Sequence, residues 1–377
     1  MIRSFRQTIF RPLLLTAIVI AAMGVTAQGA DNDIPNMGGD IFGLPGVTVI
    51  GSAGTIQSSL PFGGGSRRVK IAENNKALPV DRVYFVYNHF HDAFTATPPL
   101  QTAPVDQYTI GLEKTFADGL LSVELRLPFT SGHSASSNIS APPDSTSLAV
   151  NGGEVGNLSI LLKALLIETE SGPLVAGVGV NTPTGSDAHG RVRDEPNAGE
   201  GPSNNYFDFV ANNQAVHILP FFGFLAAPDD RTFYHGFAQL DIDANGNRID
   251  VTPFQPAPSP TVSRRLHEQT LLYLDVAAGY WLYRNPRSGG LTGLASLVEL
   301  HYTTALQDAD TATFIVPNVT TIFGNAVNRF DVLNFTVGIH AEIANNWTCR
   351  ASGVFPLTTG DNRFFPAEVI ISVNRRF

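Results

Sequence analysis

Leu333-Asn334-Phe335-Thr336-Val337-Gly338-Ile339-His340-Ala341-Glu342-Ile343 alternates without a break. Leu333, Phe335, Val337, Ile339, Ala341 and Ile343 share one parity, and Asn334, Thr336, Gly338, His340 and Glu342 share the other, as on the two faces of one strand of about eleven residues. A turn at Ala344 to Asn346 follows. Trp347, Cys349, Ala351 and Phe355 then oppose Thr348, Arg350 and Ser352, and in a last strand Ala367, Val369, Ile371, Val373 and Phe377 oppose Glu368, Ser372, Asn374 and Arg376. Strands of soluble sandwiches average about five to six residues. Strands of ten or more suit a membrane span whose polar parity faces a wetted interior.

The same alternation begins at Arg82. Val83, Phe85 and Tyr87 open a first strand that runs to about Phe94; Tyr108, Ile110 and Leu112 alternate with Thr109, Gly111 and Glu113; a turn at Ala117-Asp118-Gly119 leads into Leu121, Val123, Leu125, Leu127 and Phe129 against Ser122, Glu124, Arg126 and Pro128. Connections then alternate in length: 130–155 long, 170–172 short, 182–204 long, 227–230 short, 243–267 long, 284–290 short, 307–328 long and 344–346 short. Short periplasmic turns and long external loops are the rule of outer-membrane barrels, and an even strand count leaves both chain ends periplasmic. The fold predicted is all-β: a transmembrane antiparallel up-and-down β-barrel of about 12 strands over residues 82–377. Leu158, Leu161, Leu162, Leu165 and Leu166 also fit a helical period, but the Gly172-Pro173 turn and the strand-like run after it favour a strand. Residues 312–323 read either as an external hairpin or as an extension of the wall.

The run Val354-Phe355-Pro356-Leu357-Thr358-Thr359-Gly360-Asp361, the following Arg363-Phe364-Phe365 and the strand that stops on Phe377 resemble the last hairpin of porin-like outer-membrane barrels, in particular those of planctomycete-type genomes. The likeness spans roughly residues 82–377 and concerns architecture more than solute. It implies that Phe377 is a signal read by the barrel-assembly machinery.

Residues 1–27 have the form of a secretory signal peptide: Arg3, Arg6 and Arg11 precede the apolar run Leu13 to Val25, and Val25-Thr26-Ala27 offers a cleavage site. The destination expected is the cell outer membrane. Without that leader the chain carries 21 basic and 33 acidic residues, a formal charge of −12, which makes it a poor nucleic-acid binder. The single cysteine, Cys349, excludes an internal disulfide and reads as a small lipid-facing hydrophobe. Residues 28–81 are Gly-rich, with Gly38-Gly39, Gly63-Gly64-Gly65 and the basic Arg67, Arg68 and Lys70. A disordered periplasmic tail is the favoured expectation for them, with a plug entering the lumen as the alternative.

Several patterns bear on chemistry. Asp241, Asp243, Asn245 and Gly246 open like a calcium loop, but the twelfth position is Thr252 where a bidentate Glu is needed, so a turn is the simpler reading. His89 with His91, Glu299 with His301 and His340 with Glu342 are spaced to share a strand face; that could seat a metal, yet in a barrel it marks the wetted side. A twelve-stranded lipid hydrolase is an alternative of another class, but no Gly-x-Ser-x-Gly elbow occurs and no Ser-His-Asn or Ser-His-Glu set falls on neighbouring strands. The run Val178-Gly179-Val180-Asn181-Thr182-Pro183-Thr184-Gly185 resembles a strand end of aromatic-compound uptake barrels, and it equally serves to end any strand. A non-conducting structural barrel is the third possibility.

The expectation drawn from these features is a passive pore for small solutes or ions with a modest cation preference, no cofactor, no metal and no catalytic residue, embedded in outer-membrane lipid. Its pore-lining residues are Glu113, Glu124, Arg126, Asp275, Glu299, His301, His340, Glu342 and Arg350. A 284–290 turn with Tyr283 opposite Leu291 sets Asp275 against Glu299, a carboxylate pair that would favour cations.

Overall fold

The computed structural model describes residues 34–40, 46–52, 54–60, 68–96, 101–130, 134–141, 144–169, 172–194, 204–254, 260–316, 318–324, 328–344 and 346–377; the expected signal peptide lies outside them. In chain order the strands are β1 (Gly46–Gly51), β2 (Gly54–Ser59), β3 (Arg82–Ala96), β4 (Gln101–Phe116), β5 (Leu121–Thr130), β6 (Ser134–Ala141), β7 (Asp144–Asn151), β8 (Ser159–Thr169), β9 (Gly172–Asn181), β10 (Ala188–Asp194), β11 (Asn204–Asn212), β12 (His217–Ala226), β13 (Thr232–Asp243), β14 (Asn247–Pro253), β15 (Val262–Leu266), β16 (Leu271–Arg284), β17 (Leu291–Ala305), β18 (Ala312–Val316), β19 (Val319–Gly324), β20 (Asp331–Ile343), β21 (Trp347–Pro356) and β22 (Ala367–Arg376). No helix among the described residues is long and apolar enough to cross a membrane.

Twelve strands close into an antiparallel barrel, ordered β3-β4-β5-β8-β9-β12-β13-β16-β17-β20-β21-β22 and sealed by β22 against β3. Closure removes both sheet edges, which a strand set in hydrocarbon requires because no water is there to satisfy free backbone groups. Alternation sorts the faces: Phe85, Ile110, Leu112, Leu162, Phe222, Val298, Ile339 and Ile371 stand exposed outside, a belt of apolar side chains that fits lipid. The leucine-rich run at 158–166 is strand β8, since its alternate residues Ile160 and Leu162 point out while Leu161 and Lys163 point in.

Beyond the long-loop end the chain builds a second body. The loops carry a six-stranded sheet, β15-β14-β11-β10-β7-β6, and the hairpin β18–β19, which pairs with β1–β2 from the N-terminal segment. Residues 312–323 are thus an external hairpin. The two sheets share one apolar core that includes Val49, Ile56, Phe314 and Phe323 on one side and Leu148, Val192, Phe207, Phe209 and Val251 on the other. Phe323 sits edge-on to Phe209 at 4.9 Å between ring centroids and to Phe314 at 5.5 Å.

Candidate functional site

All nine residues expected to line the pore occupy the inward parity and are buried. They do not line an open bore, because the described part of the N-terminal segment lies against them. Residues 34–40 and 68–76 run side by side in the lumen, with Met37 N donating to Asn75 O at 2.7 Å, Asn74 N to Gly38 O at 3.3 Å and Asn36 Nδ2 to Asn74 O at 3.1 Å. The segment therefore visits the external sheet through β1 and β2 and returns along the lumen to begin β3 at the short-turn end. This corrects the favoured expectation of a periplasmic tail for these residues. The physical reason is charge: a lumen wall rich in buried carboxylates needs partners, and the basic side chains of this segment supply them.

Two arcs of wall hold the plug. On β3, β4, β5 and β8, the Arg82 guanidinium bridges Glu113 at 2.8 Å and Glu124 at 3.2 Å, Arg126 pairs with Glu124 at 2.9 Å, and Lys163 meets Glu113 at 3.0 Å. The plug threads into this network: Lys163 Nζ donates to Asn75 Oδ1, Lys76 O and Leu78 O, and Arg126 Nη1 donates to Lys70 O at 2.9 Å. Across the lumen, Glu299 accepts the backbone N–H of Gly38 at 2.7 and 2.9 Å and that of Gly39 at 3.2 Å. Gly39 has a φ of +82°, and a Cβ there would lie 2.5 Å from Glu73 Cα, so only glycine fits this crossing of the two plug strands. Lys70 Nζ sits between Asp40 and Asp275, 2.9 Å from the latter, and His301 Nδ1 lies 2.8 Å from Asp275 Oδ1. Nearer the external end Arg68 bridges Asp241 at 2.8 Å and Glu268 at 3.1 Å, while Gln239 accepts from Ile71 N and donates to Val69 O, each at 2.6 Å. Arg350 donates to Asn36 O.

The strand register differs from the one expected. Asp275 faces His301 and Glu299 faces Ala277, a shift of two residues that separates the two carboxylates along the strand. The turn closes differently, with Arg284 opposite Gly293 and Asn285 N donating to Thr292 O, which moves the register by three residues, and a bulge at Leu282, between Trp281 and Tyr283, takes one back. Trp281 turns inward against Phe233 and His340, and a Cβ at Gly293 would lie 2.6 Å from its ring, so the indole dictates which residue stands opposite. Asp275 and Glu299 hold the plug; they are not a paired cation ring.

The remaining patterns fall as follows. Asp243 Oδ1 accepts from Asn245 N and Gly246 N in a turn between β13 and β14, and Asp241 is spent on Arg68 and His217. His217, Asp243 and Glu268 lie close enough to hold a metal ion, as do Asp40, Asp275 and His301, but Arg68 and Lys70 already place a cation at each. His89 and His91 belong to the outward parity, not the wetted one, and His89 Nδ1 lies 2.7 Å from Asp106. Thr182 to Gly185 end β9, with Gly185 N donating to Asn157 Oδ1 at 2.9 Å and Asn213 Nδ2 to Gly185 O at 2.9 Å. Phe377 lies at the barrel seam: its N–H donates to Asp81 O at 3.3 Å and the Lys114 ammonium stands 5.4 Å from its ring centroid. Asp81 loses some hydration there, but hydrogen bonds from Lys114 and Thr115 outweigh that and bring its carboxyl down to about 2. Asp40, Arg68, Lys70, Arg82, Lys163 and Gln239 were not anticipated as site residues. The signal for two of them was the basic run before Ile71 in an acidic chain.

No family model matches the chain, and no curated protein matches it. Among solved structures it is similar to an outer-membrane channel from Pseudomonas putida F1, at 12% identity over 80% of this chain and 97% of that one with a TM-score of 0.46. It is also similar to the β domain of the Bordetella autotransporter BrkA, at 11% identity over 79% and 100% with a TM-score of 0.44. The Pseudomonas putida toluene transporter TodX matches at 10% identity over 79% and 90% with a TM-score of 0.35. The closed ring of twelve strands and its apolar belt make the protein a transmembrane β-barrel of outer-membrane type.

Proposed function

We propose that the protein is an outer-membrane channel for small solutes and ions, narrowed by its own N-terminal segment. The observation that carries this is how the plug is held: ion pairs and hydrogen bonds from Arg68, Lys70, Asn75 and the Gly38-Gly39 backbone join it to the wall. Polar contacts of this kind are ones that water and ions can replace, which a filling of packed apolar side chains would not allow; a structural barrel filled by its N-terminal segment is the alternative that the recording below separates. The resemblance of the last hairpin to those of porin-like barrels supports the same reading. Single-channel recording of the purified chain in a planar bilayer tests it. We expect a small conductance that rises when the plug is loosened; a silent membrane for both wild type and loosened variants would leave a structural barrel.

A second reading, uptake of apolar or aromatic compounds, is favoured by one feature. Tyr84, Val86, Phe90, Val354, Phe365 and Ile370 form an apolar patch inside the lumen. Conductance blocked by toluene at saturation, with ion flow otherwise normal, would favour it.

Assembly is part of the proposal. Phe377 anchors the seam beside Asp81 and Lys114, and recognition of this aromatic end by the barrel-assembly machinery predicts that deleting Phe377 lowers outer-membrane yield while assembled channels conduct as before. Equal yield of heat-modifiable protein would remove that role.

A further inference from the structure

The plug satisfies the arcs of the lumen wall unequally. On the arc β4-β5-β8-β9 the described residues leave one buried side-chain atom without a hydrogen bond, Thr130 Oγ1. The arc β12-β13-β16-β17 leaves several, including Thr292 Oγ1 and Thr303 Oγ1, and the arc β20-β21-β22-β3 leaves a contiguous set, among them Thr336 Oγ1, Asn334 Oδ1, Ser352 Oγ, Glu368 Oε2, Ser372 Oγ and Asn88 Oδ1, which the cavity described next adjoins. All six residues of this set are at most 6% exposed and all face inward. Register places them on adjoining tiles of wall: Ser352 pairs with Gly338 on one side and Ile370 on the other, Ile370 pairs with Asn88, and Glu368 and Ser372 flank Ile370 on the same inward face. A Cβ on Gly38 would stand 3.5 Å from Ser352 Oγ, so the plug offers this hydroxyl no side chain from that position.

A second observation falls on the same arc. At the short-turn end a cavity of about 20 Å³, room for about one water, is lined by His340, Glu342, Thr348 and Asn374 of the wall and by Ile34 and Lys76 of the plug. It adjoins the row of unpartnered atoms, since His340 is two residues from Gly338 and Asn374 two from Ser372. Buried polar atoms without protein partners take water in native proteins. We infer that a hydrated path runs along one side of the lumen, between the plug and the β20-β21-β22-β3 arc, and that it passes water and small ions. Val86, Val354 and Ile370 stand between the polar stations, so the path excludes large hydrated solutes. The ion-conducting part of this inference rests on the channel reading above; the hydration of the arc does not.

The test is cysteine accessibility in full-length protein carrying Cys349→Ser, using a small quaternary-ammonium methanethiosulfonate. Thr336→Cys, Ser352→Cys and Ser372→Cys are compared with Ser122→Cys, whose parent hydroxyl is buried on the arc β4-β5-β8-β9 and bonded to Glu113 at 2.8 Å. We expect the first three to react about tenfold faster or more, since the reagent attacks only a solvated thiolate. Each substitution is near-isosteric, and heat-modifiability on gels confirms that every variant forms the barrel before rates are compared. Equal rates on both arcs, or no reaction on either, overturns the path. Fast reaction on the arc in a protein that never conducts, even after labelling, keeps the hydrated arc and overturns the channel reading instead.

Discussion

Lys70 joins the two runs of the plug to each other, through Asp40, and to the wall, through Asp275. Its ammonium is buried between Asp40 and Asp275, and Asp275 is also paired with His301. Burial disfavours the charged amine, but the two carboxylates more than offset this and hold Lys70 above its ordinary range. Replacing it with methionine removes the cation and leaves both carboxylates buried beside one another, a loss on the order of 3–5 kcal/mol. The barrel itself gains its stability from closure and lipid-facing burial, so the cost falls on the plug. Lys70→Met should therefore leave a heat-modifiable barrel, expose residues 34–80 to protease, and raise single-channel conductance. Protease resistance equal to wild type would show that Lys70 does not seat the plug.

At the level of elements, the connection from β21 to β22 is the piece that meets the proposed path at its external end. Phe365 is buried there, edge-on to Phe90 at 5.2 Å between ring centroids, and Phe364 packs on Phe330 at 5.5 Å. The two rings tie the loop down over the apolar patch of Tyr84, Val86, Val354 and Ile370. Truncating a buried phenylalanine leaves a cavity and typically costs about 3–5 kcal/mol where the surroundings do not collapse. Because this loop lies outside the ring of strands, Phe365→Ala should spare assembly and widen the external exit. The expected reading is a higher conductance with unchanged ion preference; a conductance equal to wild type would place the constriction elsewhere.

Across the whole molecule the balance of buried charge predicts the ion preference of the proposed channel. Ten buried Asp and Glu residues stand against seven buried Lys and Arg in the described chain, and the excess is negative. A narrow lumen of low dielectric focuses such a field, so a cation is favoured over an anion. The excess is small and most carboxylates are already paired, which limits the preference. A reversal potential measured in a salt gradient should show weak cation selectivity that fades as ionic strength rises. Anion selectivity would contradict this account of the lumen. The external two-sheet body adds a mechanical consequence, since β1 pairs along its whole length with β19 and so fastens the far end of the plug outside the barrel. Loosening the plug inside the lumen is then a local rearrangement, with its outer end still held.

Alternation by itself determined the barrel. A period of two sustained over ten residues assigns every side chain to one of two faces, and the run from Leu333 to Ile343 or from Leu121 to Thr130 admits no other arrangement. Loop lengths supplied the strand order, because antiparallel neighbours joined by short turns leave little freedom. The nine inward residues were legible for the same reason. Their partners were not. Which residue faces Asp275 depends on where the turn after Arg284 closes, on the bulge at Leu282 and on the seat of Trp281 against Gly293, and no local pattern encodes an inserted residue. The segment before Arg82 has too little periodicity to announce a structure, and its short strands β1 and β2 gain their core only by meeting β7, β11 and β19 from far along the chain. Its basic residues find their carboxylates across separations of 205 positions for Lys70 and Asp275 and 173 for Arg68 and Asp241. Charges so distant in sequence are brought together only when the barrel closes, and that closure decided that the lumen holds a plug.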